Sequence, residues 1–169
     1  MRSSEMLNEI AESGYARLSA LPEEETAKAP APGKWSPKQI IGHLIDSACN
    51  NHSRFVRAQF SDELHFPGYR QEEWVAVQRY DVAPWVELLS LWRSYNWHIA
   101  WIVGAMPEAE LRKARPRDTL DPNSWGAVLA HDPVTLEHFV IDYIQHLENH
   151  LLQIMDDYQP LSFERPYQI

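Results

Sequence analysis

The stretch DPVTLEHFVIDYIQHLENHLLQIMDD, residues 132–157, decides the fold of this chain. Asp132 is suited to cap a helix, and Pro133 fits the first helical position, where no N–H is needed. The apolar residues recur at steps of three and four and so share one side of the helix: Leu136, Val140, Tyr143, Leu147, Leu151 and Ile154. The pattern therefore predicts one long helix with its apolar side against a core.

Two histidines, His146 and His150, lie one turn apart on this helix. On a helical wheel His150 falls inside the apolar stripe and His146 on its flank, so both imidazoles point toward the interior. Residues at i and i+4 are roughly 5 to 6 Å apart at Cβ and can bind one ion together. The pair is not the HExxH motif of zinc proteases, because Leu147 stands where the glutamate would be. We interpret the pair as two ligands of a metal site that still lacks a third ligand, or else as two ordinary histidines at the edge of the core.

The composition disfavours several classes of protein. The chain has 169 residues, the size of one domain, and 44% of them are hydrophobic, which allows one substantial core. A formal net charge of -9 disfavours nucleic acid and anionic membranes as partners. The single cysteine excludes an internal disulfide and a CxxC zinc site. No apolar run resembles a signal peptide or a membrane span, so we expect a cytoplasmic protein.

Three further amphipathic stretches precede the last helix. We predict helix one up to about residue 20, helix two over residues 37–60 and helix three over residues 84–105, joined by proline-rich connections. Such helices bury their apolar sides against one another, which predicts an all-α, up-down four-helix bundle with short helices in the connections. We expect residues 1–169 to form a single domain, with residues 157–169 as an extended tail.

The second helix has the most complete start signal and carries a third inward-facing histidine. Ser36 can cap this helix, a proline follows, and Gln39 can close a capping box. His43 lies at the edge of the buried side, and Asp46 and Asn50 continue a polar stripe from it. Metal sites in four-helix bundles are built from facing helices, which makes His43 the candidate third ligand.

The third helix is apolar on two sides. Trp97 and Trp101 point away from its main apolar side. Either the helix lies centrally in the bundle or its second apolar side meets another subunit. We favour a homodimer.

The segments KWSPKQIIGHLIDSA, residues 34–48, and DYIQHLENHLLQI, residues 142–154, resemble the DinB/YfiT superfamily of metal-binding four-helix bundles. In that family a histidine of the second helix and an HxxxH pair of the last helix bind a divalent metal, commonly zinc or nickel. The resemblance implies that His43, His146 and His150 are the ligands. Many members form dimers, so the resemblance also implies a dimer. It implies a small-molecule substrate as well, because members include metal-dependent hydrolases, S-transferases that use low-molecular-weight thiols, and a mycothiol-dependent isomerase.

These residues together predict a catalytic metal. Three imidazoles leave a coordination position on the ion, where zinc can lower the pKa of water to about 7 or stabilise a thiolate. We expect the ion to activate water or a low-molecular-weight thiol against an electrophilic small molecule. Asp46, Asn50 and Asp142 are candidates for orienting the ligands or holding the substrate, unless they are merely solvated polar groups.

A second hypothesis belongs to another class. The chain would then be a bundle without catalytic activity, and its metal would be structural or adventitious. Such a protein would act in a stress response or bind a partner through Trp97 and Trp101.

Overall fold

The computed structural model describes residues 1–60, 68–114 and 135–162. Within these ranges there is no strand, and a 3₁₀ turn lies at Tyr80–Val82. The α-helices there are α1 (Ser3–Leu18), α2 (Glu23–Thr26), α3 (Pro37–Arg57), α4 (Gln71–Val77), α5 (Trp85–Ala105), α6 (Glu108–Leu111) and α7 (Leu136–Leu152). The four long helices, α1, α3, α5 and α7, pack together. The prediction of an all-α four-helix bundle with short helices in the connections is therefore confirmed.

Helix α5 packs against both α1 and α3, antiparallel to the first and parallel to the second. The indole of Trp85, at the start of α5, donates to the carbonyl of Leu18 at the end of α1, over 3.0 Å, so these two helices are antiparallel. In α3 and α5, the ring centroids of His52 and His98 lie 5.1 Å apart. One turn earlier on both helices the side chains of Cys49 and Tyr95 lie close to each other. Helices α3 and α5 are therefore parallel.

Helix α7 is antiparallel to α3. Phe55, near the end of α3, contacts Phe139, near the start of α7, with ring centroids 5.8 Å apart. The long helices thus run up, down, down and up in chain order, whereas the sequence predicted an up-down bundle. Because α3 and α5 run the same way, the connection between them must return along the bundle. This return places α4 and the 3₁₀ turn against α3, where they border the candidate site.

The apolar stripe predicted for the last helix is buried along α7, at Leu136, Val140, Tyr143, Leu147 and Leu151. The predicted start of the helix was wrong: Thr135 has extended backbone and its side chain accepts from the backbone N–H of His138 over 3.1 Å. Asp132 and Pro133 lie outside the described residues. The helix also ends at Leu152, five residues before the predicted end. Hydrophobic periodicity marks the middle of a helix more sharply than its ends.

The start of α3 agrees with the sequence prediction. The Ser36 side chain accepts from the backbone N–H of Gln39, and the Gln39 side chain accepts from the backbone N–H of Ser36 over 3.0 Å. This capping box fixes the first turn of α3 and therefore which residues face inward. Among the described residues, no helix is both long and apolar enough to cross a membrane.

Gly42 lets the Tyr80 ring lie directly on the backbone of α3. A Cβ at position 42 would be 2.1 Å from Cδ2 of Tyr80, far inside van der Waals contact. We expect Gly42→Ala to destabilise the fold by about 1–3 kcal/mol, because the buried ring must move. Gly68→Ala is the control, since no atom lies within 4 Å of a Cβ built there. Urea denaturation of both variants checks this prediction, and equal free energies of unfolding would contradict it.

Candidate metal centre

Three histidine side chains converge between α3 and α7. His43 comes from α3, and His146 and His150 come from α7. One ring nitrogen from each lies within 4.8 Å of the other two, and among the described residues no other group of three potential ligands is this close. The Nε2 atoms of His43 and His146 are 3.2 Å apart. The structure therefore brings together all three histidines that the sequence predicted as ligands, and their arrangement could hold one metal ion.

Aromatic rings form a wall around His43. The Trp35 ring lies 5.1 Å from the His43 ring between centroids, and the Tyr69 ring stacks on it at 6.4 Å. Trp74, on α4, packs against Tyr69, with centroids 4.9 Å apart. His43 itself is almost completely buried. This wall restricts the orientation of the imidazole and excludes water from one side of the histidine group.

Burial keeps the three imidazoles neutral. It lowers the pKa of His43 to about 3, with a further contribution from the charge of His150. It lowers the pKa of His150 to about 4, against a hydrogen bond with Gln153 that acts in the opposite direction. For His146 burial comes first again, and the two neighbouring histidines add to it, so its pKa falls well below the ordinary value. Neutral imidazoles have the lone pair that a metal ion requires.

These lowered pKa values predict how the stability of the metal-free protein depends on pH. The unfolded chain takes up protons on the three histidines near pH 6.5, whereas the folded chain does not until about pH 4. Stability should therefore be constant above pH 6.5 and fall below it, by up to about 1.4 kcal/mol per pH unit for each histidine.

Urea denaturation of chelator-treated protein between pH 7.5 and about 5.5 measures this slope, in a range where most carboxylates stay ionised. His43→Asn should remove about one third of the slope, because it deletes one of the three histidines. Equal stability at both ends of this range would contradict the prediction.

Comparison with known proteins identifies the family. The sequence profile of the DinB superfamily matches residues 12–154, which include all three histidines. The chain belongs to the DinB superfamily. A search of the curated proteins finds no match. Among solved structures, YfiT from Bacillus subtilis superposes with a TM-score of 0.74 at 16% sequence identity, over 91% of this chain and 82% of that chain. YfiT is described as a probable metal-dependent hydrolase with an unusual four-helix bundle topology.

Asp46 of this DinB protein lies one turn beyond His43 on α3, and the residue is 3% exposed. Its Oδ1 atom accepts from the Tyr80 hydroxyl over 2.8 Å and from the Gln78 amide over 2.7 Å. Burial raises the pKa of the Asp46 carboxyl, and these two hydrogen bonds counteract the shift. The other carboxylate oxygen, Oδ2, has no hydrogen-bond partner. The carboxylate is thus held by one oxygen and has a second oxygen available.

The other two polar candidates from the sequence have different surroundings. The Asn50 amide donates to the backbone carbonyl of Asp46 over 2.8 Å, a bond within α3 that does not involve the histidines. Asp142 is buried on α7, one turn before His146. Of the three candidates, Asp46 is therefore the one with a buried carboxylate oxygen that no described group uses.

Sequence analysis did not find Tyr69 as a neighbour of His43, or Gln78 and Tyr80 as neighbours of Asp46. All three lie in or near the connection that returns along α3, and their places depend on the parallel arrangement of α3 and α5. Gly42 was a weak signal, since a glycine inside a well-started helix often marks a close approach by another group. The pattern does not say which group approaches.

Glu148 holds the chain that follows α7, on the side of this helix opposite His146 and His150. It lies between the two histidines of α7 in sequence, is 0% exposed and accepts four hydrogen bonds. The Tyr158 hydroxyl donates over 2.7 Å, the Leu161 backbone N–H over 2.7 Å, and Ser162 donates from both its N–H and its hydroxyl. Glu148 was not predicted, because a glutamate on a helix usually faces solvent.

Proposed function

We propose that this DinB protein is a metal-dependent enzyme. A divalent ion held by His43, His146 and His150 would activate water or a low-molecular-weight thiol against an electrophilic small molecule. The convergence of one nitrogen from each histidine within 4.8 Å is the observation that carries the proposal. Three neutral imidazoles on a divalent ion are typical of catalytic zinc sites, which keep a position for a nucleophile.

The donor set favours zinc, with nickel as the second choice. Imidazole nitrogen suits Zn²⁺ and Ni²⁺, whereas Mg²⁺ and Ca²⁺ prefer oxygen ligands. The carboxylate nearest in sequence to a proposed ligand on α3, Asp46, is already engaged through one oxygen by Tyr80 and Gln78. When bound, such an ion would lower the pKa of a water or thiol and supply a nucleophile near neutral pH.

The protein's own residues would set up this chemistry before the ion binds. Burial keeps the imidazoles unprotonated, so binding does not have to displace protons near neutral pH. The rings of Trp35 and Tyr69 hold the His43 imidazole in position and exclude water beside it. Such preorganisation reduces the rearrangement needed to bind the ion and to reach the transition state.

The proposal includes two reactions, which differ in the nucleophile. Water would make the protein a hydrolase, in line with the description of YfiT as a probable metal-dependent hydrolase. A low-molecular-weight thiol would make it an S-transferase, an activity that the resemblance to the superfamily also allows, since some members use such thiols. Both reactions require the same three ligands, so one set of variants tests them together.

The exposed tryptophans favour a homodimer and also support the alternative function. Trp97 and Trp101 are 53% and 67% exposed, and their rings stack with centroids 6.1 Å apart beside α1. We propose that a second copy of the chain covers this surface. Trp101→Glu should then shift the protein to a monomer in light scattering, and a wild-type monomer at high concentration would contradict the dimer. If the protein has no catalytic activity, we propose this surface as the binding site for a partner protein.

The proposed activity can be tested on untagged protein loaded with Zn²⁺. Activated esters test hydrolysis, and a small thiol with an electrophilic acceptor tests transfer, each with and without chelator. We expect at least one activity, abolished by chelator and by His150→Ala. His98→Ala is the control, because it removes a histidine outside the triad. If both activities are absent while chelator lowers the melting temperature, the metal is structural and the enzymatic proposal fails.

A further inference from the structure

Two buried atoms of complementary character lack hydrogen-bond partners on neighbouring turns of α3. They are Nδ1 of His43 and Oδ2 of Asp46. Among the described residues, Oδ2 of Asp46 is the one buried side-chain oxygen without a hydrogen-bond partner. The other buried side-chain atoms without a partner are ring nitrogens of Trp92 and His150. Buried polar groups are rarely left unpaired, so each exception calls for an explanation.

The geometry of the histidines assigns the proton of His43. Its Nε2 atom faces Nε2 of His146 at 3.2 Å, so Nε2 is the atom directed at the shared point. A neutral imidazole that offers the Nε2 lone pair to an ion must carry its proton on Nδ1. In metal sites this second N–H almost always donates to a carboxylate, a backbone carbonyl or water. The buried N–H of His43 therefore requires an acceptor.

Asp46 is the candidate acceptor, and in this structure its Oδ2 and Nδ1 of His43 are not hydrogen-bonded to each other. It lies three residues after His43, and side chains three residues apart on a helix are neighbours. Its Oδ1 is held by Tyr80 and Gln78, so the carboxylate is fixed from the side of the 3₁₀ turn while Oδ2 stays available. Tyr80 is itself positioned by Gly42, whose backbone it covers.

We propose that Asp46 accepts the Nδ1–H of His43, directly or through one water, when Nε2 of His43 binds the ion. Asp46 is then a positioning residue: it fixes the tautomer and the ring orientation of His43 and does not touch the ion. This inference rests on the proposed function, because it requires a divalent ion at the three histidines. It also gives a reason for the Tyr80 and Gln78 hydrogen bonds, which hold the carboxylate.

The test compares Zn²⁺ affinity in the full-length wild type and Asp46→Asn by competition with a chromophoric chelator. We expect Asp46→Asn to weaken binding by about 10- to 100-fold, the usual effect of losing such a partner. Tyr80→Phe removes one of the two donors to Oδ1 but keeps Gln78 and Oδ2, so it should weaken binding by less than Asp46→Asn does. Asp46→Glu, which keeps a carboxylate, should recover part of the loss. Equal affinity for wild type and Asp46→Asn would overturn the inference.

A second measurement does not depend on the folding of a variant. In ¹⁵N NMR of Zn²⁺-loaded wild type, His43 should carry its proton on Nδ1, and that proton should exchange slowly with solvent. A proton on Nε2, or rapid exchange of the Nδ1 proton, would overturn the inference while leaving the metal site intact. If the wild type binds no Zn²⁺ at the three histidines, the proposed function and this inference both fail. The two failures are therefore distinguishable.

Discussion

His146→Ala should lower the affinity of the protein for Zn²⁺ by at least about 100-fold, close to 3 kcal/mol of binding free energy. His146 is close to both other histidines, because its Nε2 lies 3.2 Å from Nε2 of His43 and its ring centroid is 4.6 Å from that of His150. Its removal leaves two of the three imidazoles, those of His43 and His150, with ring centroids 4.7 Å apart. Competition with a chromophoric chelator measures the loss.

His98→Ala is the matched control for this experiment. The centroids of His98 and His52 are 5.1 Å apart on α5 and α3, so this pair also brings together two imidazoles from different helices. It lacks a third ligand among the described residues. We expect His98→Ala to leave the tightest Zn²⁺ site unchanged. If His98→Ala weakened that site and His146→Ala did not, the ligands would have been assigned to the wrong cluster.

Glu148→Leu should destabilise the protein by about 3 kcal/mol. The buried carboxylate accepts four hydrogen bonds from Tyr158, Leu161 and Ser162. Hydrogen bonds to a charged group contribute about 1.5–3 kcal/mol each, and water that solvates the freed donors recovers part of the sum. Leucine fills the space but accepts none of them. The chain after α7 should then detach, and the free energy of unfolding in urea should fall accordingly.

Two further variants separate the hydrogen bonds of Glu148 from the general effect of losing a charge. Glu148→Gln keeps one acceptor oxygen, so its loss of stability should be about half as large. Glu137→Gln removes a half-exposed carboxylate near the start of the same helix and should change stability by less than about 0.5 kcal/mol. A Glu148→Leu variant as stable as wild type would show that the tail is not held by this residue.

The helices and the three histidines could be predicted because their signals are local. The capping box of Ser36 and Gln39 fixes the first turn of α3, and the phase of that helix then directs His43 inward. The HxxxH spacing fixes His146 and His150 relative to each other within one turn of α7. These are short-range relations, and the sequence alone contains them.

The surroundings of the histidines could not be predicted, because they depend on contacts between distant parts of the chain. The parallel packing of α3 and α5 sends the connection back along α3, which brings Tyr69 to His43 and brings Gln78 and Tyr80 to Asp46. The four hydrogen bonds of Glu148 likewise come from residues after the helix. The course of the chain there has no periodic sequence pattern from which it could be predicted. Helix ends were also imprecise, as at Thr135, because several nearby polar residues can serve as caps.

X-ray absorption spectroscopy of the protein loaded with one equivalent of Zn²⁺ tests the central claim most directly. The proposed site predicts three imidazole nitrogens at roughly 2.0–2.1 Å, plus one light atom from solvent, and a loss of one imidazole in His43→Ala. Fewer than three imidazoles in the wild type, or a spectrum that His43→Ala leaves unchanged, would contradict a metal centre shared by α3 and α7.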